Sequence, residues 1–301
     1  MDTHRLYIQL GSQCNCDCIF CAVADSRNLP GLSFDRVVEH LTSGAANGFA
    51  HLTISGGEPT IRRDLPQIVS TARRLGFSHI QVQTNARALA NRQITERLFE
   101  AGVDKFLPSI HGHNADVHDA IMRAKGAFNQ TVRGIANIVA LQRTSVSTNT
   151  VITKQNYAYL PQLGELLISL GVKQAQLSYV QAEGNAKNAI RDIGPAMSDA
   201  YPFLQETIAL CSKAGVKVLV DGIPQCVLSG YHIFARDMRR TPRVAGVTDS
   251  NDIVLGRTPD KLKAASCTEC RFSPKCGGVW QKYVEMYGWS EFSPVPAEAS
   301  L

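Results

Sequence analysis

The chain lacks any long hydrophobic run. Nowhere in its 301 residues does an apolar stretch approach the roughly 18 residues of a membrane span. Its opening, MDTHRLYIQLGSQC, has no basic segment leading into an apolar one, the pattern of a secretory signal. A cytoplasmic protein that neither enters a membrane nor crosses one is the expectation. Excess charge is scarce too: 31 Lys and Arg against 26 Asp and Glu leave a formal net charge of +5, short of the basic footprint of a nucleic-acid surface. Low-complexity tracts and internal repeats are missing, and with 44% hydrophobic and 19% charged residues the chain can bury a full core. Disorder, nucleic-acid binding and membrane insertion drop out together.

Cysteine is what the chain does have. There are nine, and in a cytosolic chain of this length clustered thiols point to metal or redox chemistry rather than disulfides. Four fall between positions 14 and 21 and three between 267 and 276, leaving Cys211 and Cys226 apart. Cys211 shares a helical stripe with Leu204 and Ile208, the pattern of a core thiol.

Between the clusters, runs of β-branched and alternating residues recur with helical segments between them, the mark of an α/β fold with parallel strands. Strands are expected near 6–10, 51–55, 80–84, 106–110, 146–152, 176–180 and 216–220. Phe34, Val37, Val38 and Leu41 form a helical stripe behind a possible Ser33 cap. Leu65, Ile68, Val69, Ala72 and Leu75 form a second stripe after Asp64, and Leu160, Leu163, Leu167 and Leu170 a third. Such helices should cover the outside of a parallel sheet, which puts the site at the C-terminal strand ends. Regularity fades after Val220: residues 221–259 carry Pro224, Pro242, Pro259 and the basic run Arg236, Arg239, Arg240, Arg243. The expected division is therefore residues 1–222 and 223–301, with a loose tail from 293 onward.

Cys14, Cys18 and Cys21 follow the first strand at C-x3-C-x2-C spacing. Three thiolates on one short loop can hold three irons of a four-iron cluster and leave the fourth iron open. The plainer alternative is a zinc loop that also uses Cys16. A second segment, Ser55-Gly56-Gly57-Glu58-Pro59, closes the second strand. Together the two resemble the radical S-adenosylmethionine (SAM) superfamily, whose cysteine loop follows the first strand of a partial (βα)6 TIM-like barrel and whose GGE motif closes the second.

That resemblance implies a 4Fe-4S cluster on Cys14, Cys18 and Cys21, with SAM on the open iron and reductive cleavage of SAM to a 5′-deoxyadenosyl radical. It also implies that Gly56, Gly57, Glu58 and Pro59 bind SAM, the first three at its amino group, and that Phe20 lies near adenine. Phe20 is equally a plain core aromatic. Thr84 and Asn85 at the third strand end, Ser109 at the fourth and Asn149 in the fifth would meet the SAM carboxylate and ribose. Gly184 and Ala186, after the sixth strand, would lie near adenine. His111, His113 and His118 suit no closed metal site and are expected to shape the cavity or occupy a loop.

Near the C-terminus, Cys267, Cys270 and Cys276 have C-x2-C-x5-C spacing in a Pro- and Gly-containing loop, a pattern that zinc and iron–sulfur sites share. The segment resembles the SPASM and twitch domains of the superfamily. A full SPASM domain has a further cysteine just after the third, where this chain has Trp280, so the shorter twitch type fits better. Cys226 would then complete an auxiliary 4Fe-4S cluster; as a free core thiol it would instead leave that cluster an open iron able to bind substrate directly.

The resemblance to compact maturases implies oxidative modification of a ribosomally made peptide. An electron donor such as flavodoxin or ferredoxin is expected, and with no room ahead of the first strand, a separate leader-peptide recognition protein. The alternative substrate is a small phosphorylated or carboxylated metabolite, for which Arg236, Arg239, Arg240 and Arg243 would suit the anionic groups. From a different class altogether, a non-catalytic zinc-binding interaction module would be colourless and without SAM affinity.

Overall fold

Side chains of a strand point alternately to its two faces, and that alternation organises this molecule. The computed structural model describes residues 5–236, 244–247, 254–255 and 260–296. Seven strands lie in the first 221 residues: β1 (Arg5–Gln9), β2 (His51–Ser55), β3 (His79–Thr84), β4 (Lys105–Pro108), β5 (Ser147–Ile152), β6 (Gln174–Tyr179) and β7 (Lys217–Asp221). The helices between them are α1 (Phe34–Ala46), α2 (Leu65–Arg74), α3 (Arg92–Ala101), α4 (Ala115–Met122), α5 (Ala127–Ala140), α6 (Leu160–Ser169), α7 (Ile190–Ile193) and α8 (Met197–Lys213).

Strands β1 to β4 pair in order and in parallel, as do β5 to β7. A parallel bridge between Ser109 and Asn149 joins the two groups. The result is the expected partial barrel. Strand β4 stops at Pro108 instead of running to 110, because Ile110 donates its backbone N–H to Asn149 O (3.0 Å) and turns toward β5. Strand β6 begins at Gln174, two residues early, since polar residues on its inner face belong to the strand as fully as apolar ones.

On the outer face, Leu6, Ile8, Leu52, Ile54, Ile80, Val82 and Phe106 are completely or almost completely buried beneath the helices. Each such side chain stabilises the fold by about 1.5–3 kcal/mol. From the helices come Val37 and Leu41 of α1, Leu65, Ile68, Val69 and Ala72 of α2, and Leu160, Leu163 and Leu167 of α6. Ser33 caps α1 by accepting from the Arg36 backbone N–H. Asp64 does not cap α2; its carboxylate takes both arms of the Arg62 guanidinium at 2.9 and 2.6 Å. Cys211 is fully buried on α8.

Beyond β7 the chain returns to the sheet: β8 (Val244–Val247) lies parallel to β1, with β9 (Val254–Leu255) antiparallel beside it. Next come β10 (Lys261–Leu262) and β11 (Val279–Trp280), an antiparallel pair, and α9 (Gln281–Tyr287). Tyr283 of α9 is 1% exposed and accepts from the Met197 backbone N–H at 2.7 Å, which seats the C-terminal segment on the barrel. Arg239, Arg240, Arg243, Pro242 and Pro259 lie outside the described residues, as do residues 297–301 of the tail. Among the described residues no helix is long and apolar enough to cross a membrane.

Candidate active site

The strand ends open on a cavity of about 430 Å³. Its wall takes one to three side chains from every strand of the barrel, including Gln9, Ser55, Gln83, Leu107, Asn149, Gln176 and Asp221. Parallel register levels these inward positions: Gln9 pairs with Ser55, Gln83 with Leu107, and Asn149 with Gln176. Hydrogen bonds stitch the polar lining together. Tyr7 Oη and Ser55 Oγ both donate to Gln83 Oε1 (3.1 and 3.0 Å), and Ser178 Oγ donates to Asn149 Oδ1 (2.9 Å).

Cys14, Cys18 and Cys21 all face this cavity. Their loop borrows its order from other strand ends. Gly57 N donates to Gly11 O (2.7 Å), Glu58 N to Gln13 O (2.8 Å), Asp17 N to Met122 O (3.1 Å) and Asn185 N to Cys21 O (3.0 Å). Burial, with the neighbouring Cys14 and Cys21, pushes the Cys18 thiol up to about 12. Cys14 is raised as well, first by its hydrogen bond with Cys16 and then by burial.

Cys14 and Cys18 thus resist ionisation until a cation arrives, and metal binding drives their deprotonation. Among the described residues no three His, Cys, Asp or Glu side chains gather on a single ion. A four-iron cluster asks instead that each thiolate face one shared space and hold its own iron. The donor set fits that group, and these three cysteines could hold it.

The Gly56–Gly57 turn has a job within the protein. A Cβ on Gly57 would stand 2.0 Å from Gln13 O, and one on Gly56 2.3 Å from Gly11 O. Only glycine lets the turn lie against the cysteine loop. Glu58 is 3% exposed, and burial raises its pKa. Its carboxylate accepts from Thr60 N (3.0 Å), Thr60 Oγ1 (2.5 Å), Thr84 Oγ1 (2.6 Å) and Asn85 N (2.6 Å). Three of those donors meet Oε1 and only Asn85 N meets Oε2, so Oε2 keeps a lone pair to spare. What this turn could offer an ammonium group is Glu58 Oε2, in the cavity wall, and backbone carbonyl oxygen.

Phe20, Thr84, Asn85, Ser109 and Asn149 line the cavity. Phe20 packs edge-on against His111, with ring centroids 4.9 Å apart. Asn85 Nδ2 reaches Asn15 Oδ1 (2.6 Å) and Cys16 Sγ (3.5 Å). Pro59 lines a neighbouring cavity of about 210 Å³ instead. Gly184 and Ala186 line neither cavity. Ala186 is fully buried, and a Cβ on Gly184 would meet Cys21 O at 2.0 Å, so that segment clamps the cysteine loop.

Cys16 lines the same cavity, packed with Met122 and Ala127 and accepting from Arg87 Nη1 (3.4 Å). His111 lines the cavity. His118 is buried behind it and accepts the His111 backbone N–H at Nδ1 (3.1 Å).

Sequence reasoning missed Tyr7, Gln9, Gln83, Gln176, Ser178 and Asp221. Their signal was a polar residue at every second position of a strand. Asp221 is notable because its Oδ1 is buried and, among the described residues, has no hydrogen-bond partner.

At the barrel's edge Cys226, Cys267, Cys270 and Cys276 line one small cavity together with Phe272 and Phe292. Burial, then the nearness of Cys276, Cys270 and Cys267, pushes the Cys226 thiol up to about 12. Backbone N–H groups already address two of the sulfurs, Val295 N to Cys270 Sγ (3.4 Å) and Gly278 N to Cys276 Sγ (3.3 Å). Such N–H···S contacts help set the potential of an iron–sulfur cluster.

Fold and site together define a barrel enzyme with a thiol-lined mouth and a polar lumen. The profile of the family described as "Radical SAM superfamily" matches residues 8–167, and the chain belongs to that family. It is a radical SAM enzyme, with a 4Fe-4S cluster and SAM as cofactors.

Among curated relatives, a probable GTP 3′,8-cyclase of Saccharolobus solfataricus is 28% identical over 216 residues, covering 71% of this chain and 67% of the relative. An AdoMet-dependent heme synthase of Methanosarcina barkeri is 28% identical over 190 residues, covering 62% and 53%. The chain thus spans between about half and two thirds of the length of these relatives. Among solved structures, Streptococcus suis SuiB bound to S-adenosylmethionine superposes with a TM-score of 0.71 at 14% identity, covering 97% of this chain and 76% of that one. SuiB is also known bound to its precursor peptide SuiA. At this identity the likeness is one of fold.

Proposed function

We propose that Cys14, Cys18 and Cys21 ligate the SAM-binding cluster, that Cys226, Cys267, Cys270 and Cys276 hold an auxiliary 4Fe-4S cluster in a unit formed by residues 223–301, and that the enzyme oxidatively modifies a ribosomally made peptide. The cluster and SAM together supply, when bound, a 5′-deoxyadenosyl radical that removes hydrogen from an unactivated carbon. This chain's residues orient the reactants and keep water and oxygen away. The observation that carries the reading is the meeting of all four remaining chemistry-bearing cysteines on one cavity at the barrel's edge. An oxidising reaction needs an electron acceptor there.

A peptide is favoured by the lumen, where the amides of Gln9, Gln83, Asn149, Gln176 and Gln181 and the carboxylate of Asp221 complement peptide N–H and C=O groups. The fold shared with SuiB is further support. None of the nine cysteines is tied up in a disulfide, which leaves seven for the clusters and suits the cytoplasm, where flavodoxin or ferredoxin would supply electrons and a separate protein would recognise the leader.

A phosphorylated metabolite is the second reading. Arg236, Lys261 and Lys275 line a small pocket beside Cys276, and curated relatives carry the cyclase name.

Anaerobic reconstitution tests the proposal. Iron should reach about eight per chain and fall to about four when Cys14, Cys18 and Cys21 are replaced by alanine. A wild type holding about four irons, and none in that variant, would refute the auxiliary cluster. GTP consumed in step with 5′-deoxyadenosine release would overturn the peptide substrate.

A further inference from the structure

We propose that Arg27 is a positioning residue for the SAM-binding cluster, aiming a buried N–H of its guanidinium at the Cys21 end of the cluster and stabilising the reduced form. The inference rests on Cys14, Cys18 and Cys21 being the ligands. Arg27 follows the short helical turn Ala24–Ser26, which begins three residues after Cys21. Its Nη1 is fixed on Asp17 Oδ1 at 2.5 Å. Asp17 lies within the cysteine loop and is itself held by Asn185 Nδ2 at 3.0 Å. That same amide group donates to Cys18 O at 2.8 Å. One edge of the guanidinium is thereby locked to the loop that carries the sulfurs.

The other edge is left over. Nη2 is buried and, among the described residues, has no hydrogen-bond partner, while the guanidinium lies beside the Cys21 thiol and within electrostatic reach of Cys18. A buried donor without an acceptor costs the fold about 1–3 kcal/mol, and a neutral thiol is a poor acceptor. A thiolate or cluster sulfide is a good one. Arginine suits the position because its planar fork serves the carboxylate and the sulfur at once, which a lysine point charge does not. Adding an electron makes the cluster more negative, so the cation favours the reduced state. Net charge and hydrogen bonds to sulfur are the terms that set cluster potentials.

The test is an EPR-monitored redox titration of reconstituted full-length protein without SAM. Cys267→Ala and Cys270→Ala in the background ensure that a single cluster titrates. Arg27→Gln should lower the reduced-to-oxidised ratio at a given potential about tenfold, equivalent to about 59 mV for one electron. Arg27→Lys should fall less, in the same direction. Arg123→Gln, which removes a cation 3.5 Å from Asp17, should leave the potential where it is.

A wild-type potential in iron-loaded Arg27→Gln overturns the proposal. So does an equal fall in Arg123→Gln, which would place the effect in Asp17. Should Arg27→Gln take up no iron, a wild-type potential in Arg27→Lys overturns it as well. The Cys14, Cys18, Cys21 alanine variant, titrated in parallel, separates a failure of the ligand assignment from a failure of Arg27.

Discussion

Replacing Gly57 by alanine should free the cysteine loop without touching a cysteine. The new Cβ would stand 2.0 Å from Gln13 O and 2.6 Å from Gln13 C and Ser12 C. These are backbone atoms that cannot swing aside, so the turn and the loop must part. Parting breaks the bonds Gly57 N to Gly11 O (2.7 Å) and Glu58 N to Gln13 O (2.8 Å). Each is worth about 1 kcal/mol, and relieving the overlap costs about 1–3 kcal/mol more. A total of about 3–5 kcal/mol lowers the population of the ordered loop by roughly a hundredfold to a few thousandfold. The assay pairs urea unfolding of the metal-free protein with iron content after reconstitution, and both should drop. If Gly57 matters only because SAM approaches it closely, the metal-free variant will unfold like the wild type and load iron normally. That result would refute the reasoning.

Cys18→Ala should abolish SAM cleavage, whereas Cys270→Ala should leave cleavage running uncoupled from product, as read by 5′-deoxyadenosine release against product mass. Cys16→Ala should keep full iron loading and lose about 1 kcal/mol of stability, because Cys16 fills a small apolar contact with Met122 and Ala127. Glu58→Gln should destabilise by roughly 1–3 kcal/mol, since an amide N–H₂ would then face one of the donors that converge on the carboxylate. Burial lowers the His118 pKa to about 4, so the unfolded chain binds the proton more readily than the folded one. Stability should therefore fall as pH drops from about 6.5 toward 4, and the fall should be shallower in His118→Asn.

The sheet was legible because its outer face follows ordinary rules. Leu6 and Ile8, Leu52 and Ile54, Ile80 and Val82 alternate with polar neighbours, and period two marks them as strands. The inner face was not legible as a site. Gln83 or Gln176 in a short strand looks like a solvent-facing residue until the sheet curls and turns that face into a lumen. Cysteine spacing gave both thiol groups, since ligand spacing on a loop is local. The pairing of Cys226 with residues some forty positions later came from resemblance alone. The approach of Gly184 to Cys21 O was not legible, because motif position carries no information about which neighbour a backbone touches.

That last point bears on how the site is built. A loop that must carry three sulfurs to fixed positions has no regular structure to hold it, and ordering each residue costs about 1–2 kcal/mol. Here the loop is gripped by the turn after β2 through Gly57 and Glu58, by the segment after β6 through Gly184 and Asn185, and by the end of α4 through Ile121 and Met122. Asn85, after β3, reaches it with a side chain. The grips come from separate βα units, so the loop is set only when the barrel has closed far enough to bring them together. Glu58 ties two of those units directly, accepting from Thr84 and Asn85. A loosened β2–β3 contact should therefore be felt first at the sulfurs, as lower iron occupancy, before it is felt in the fold.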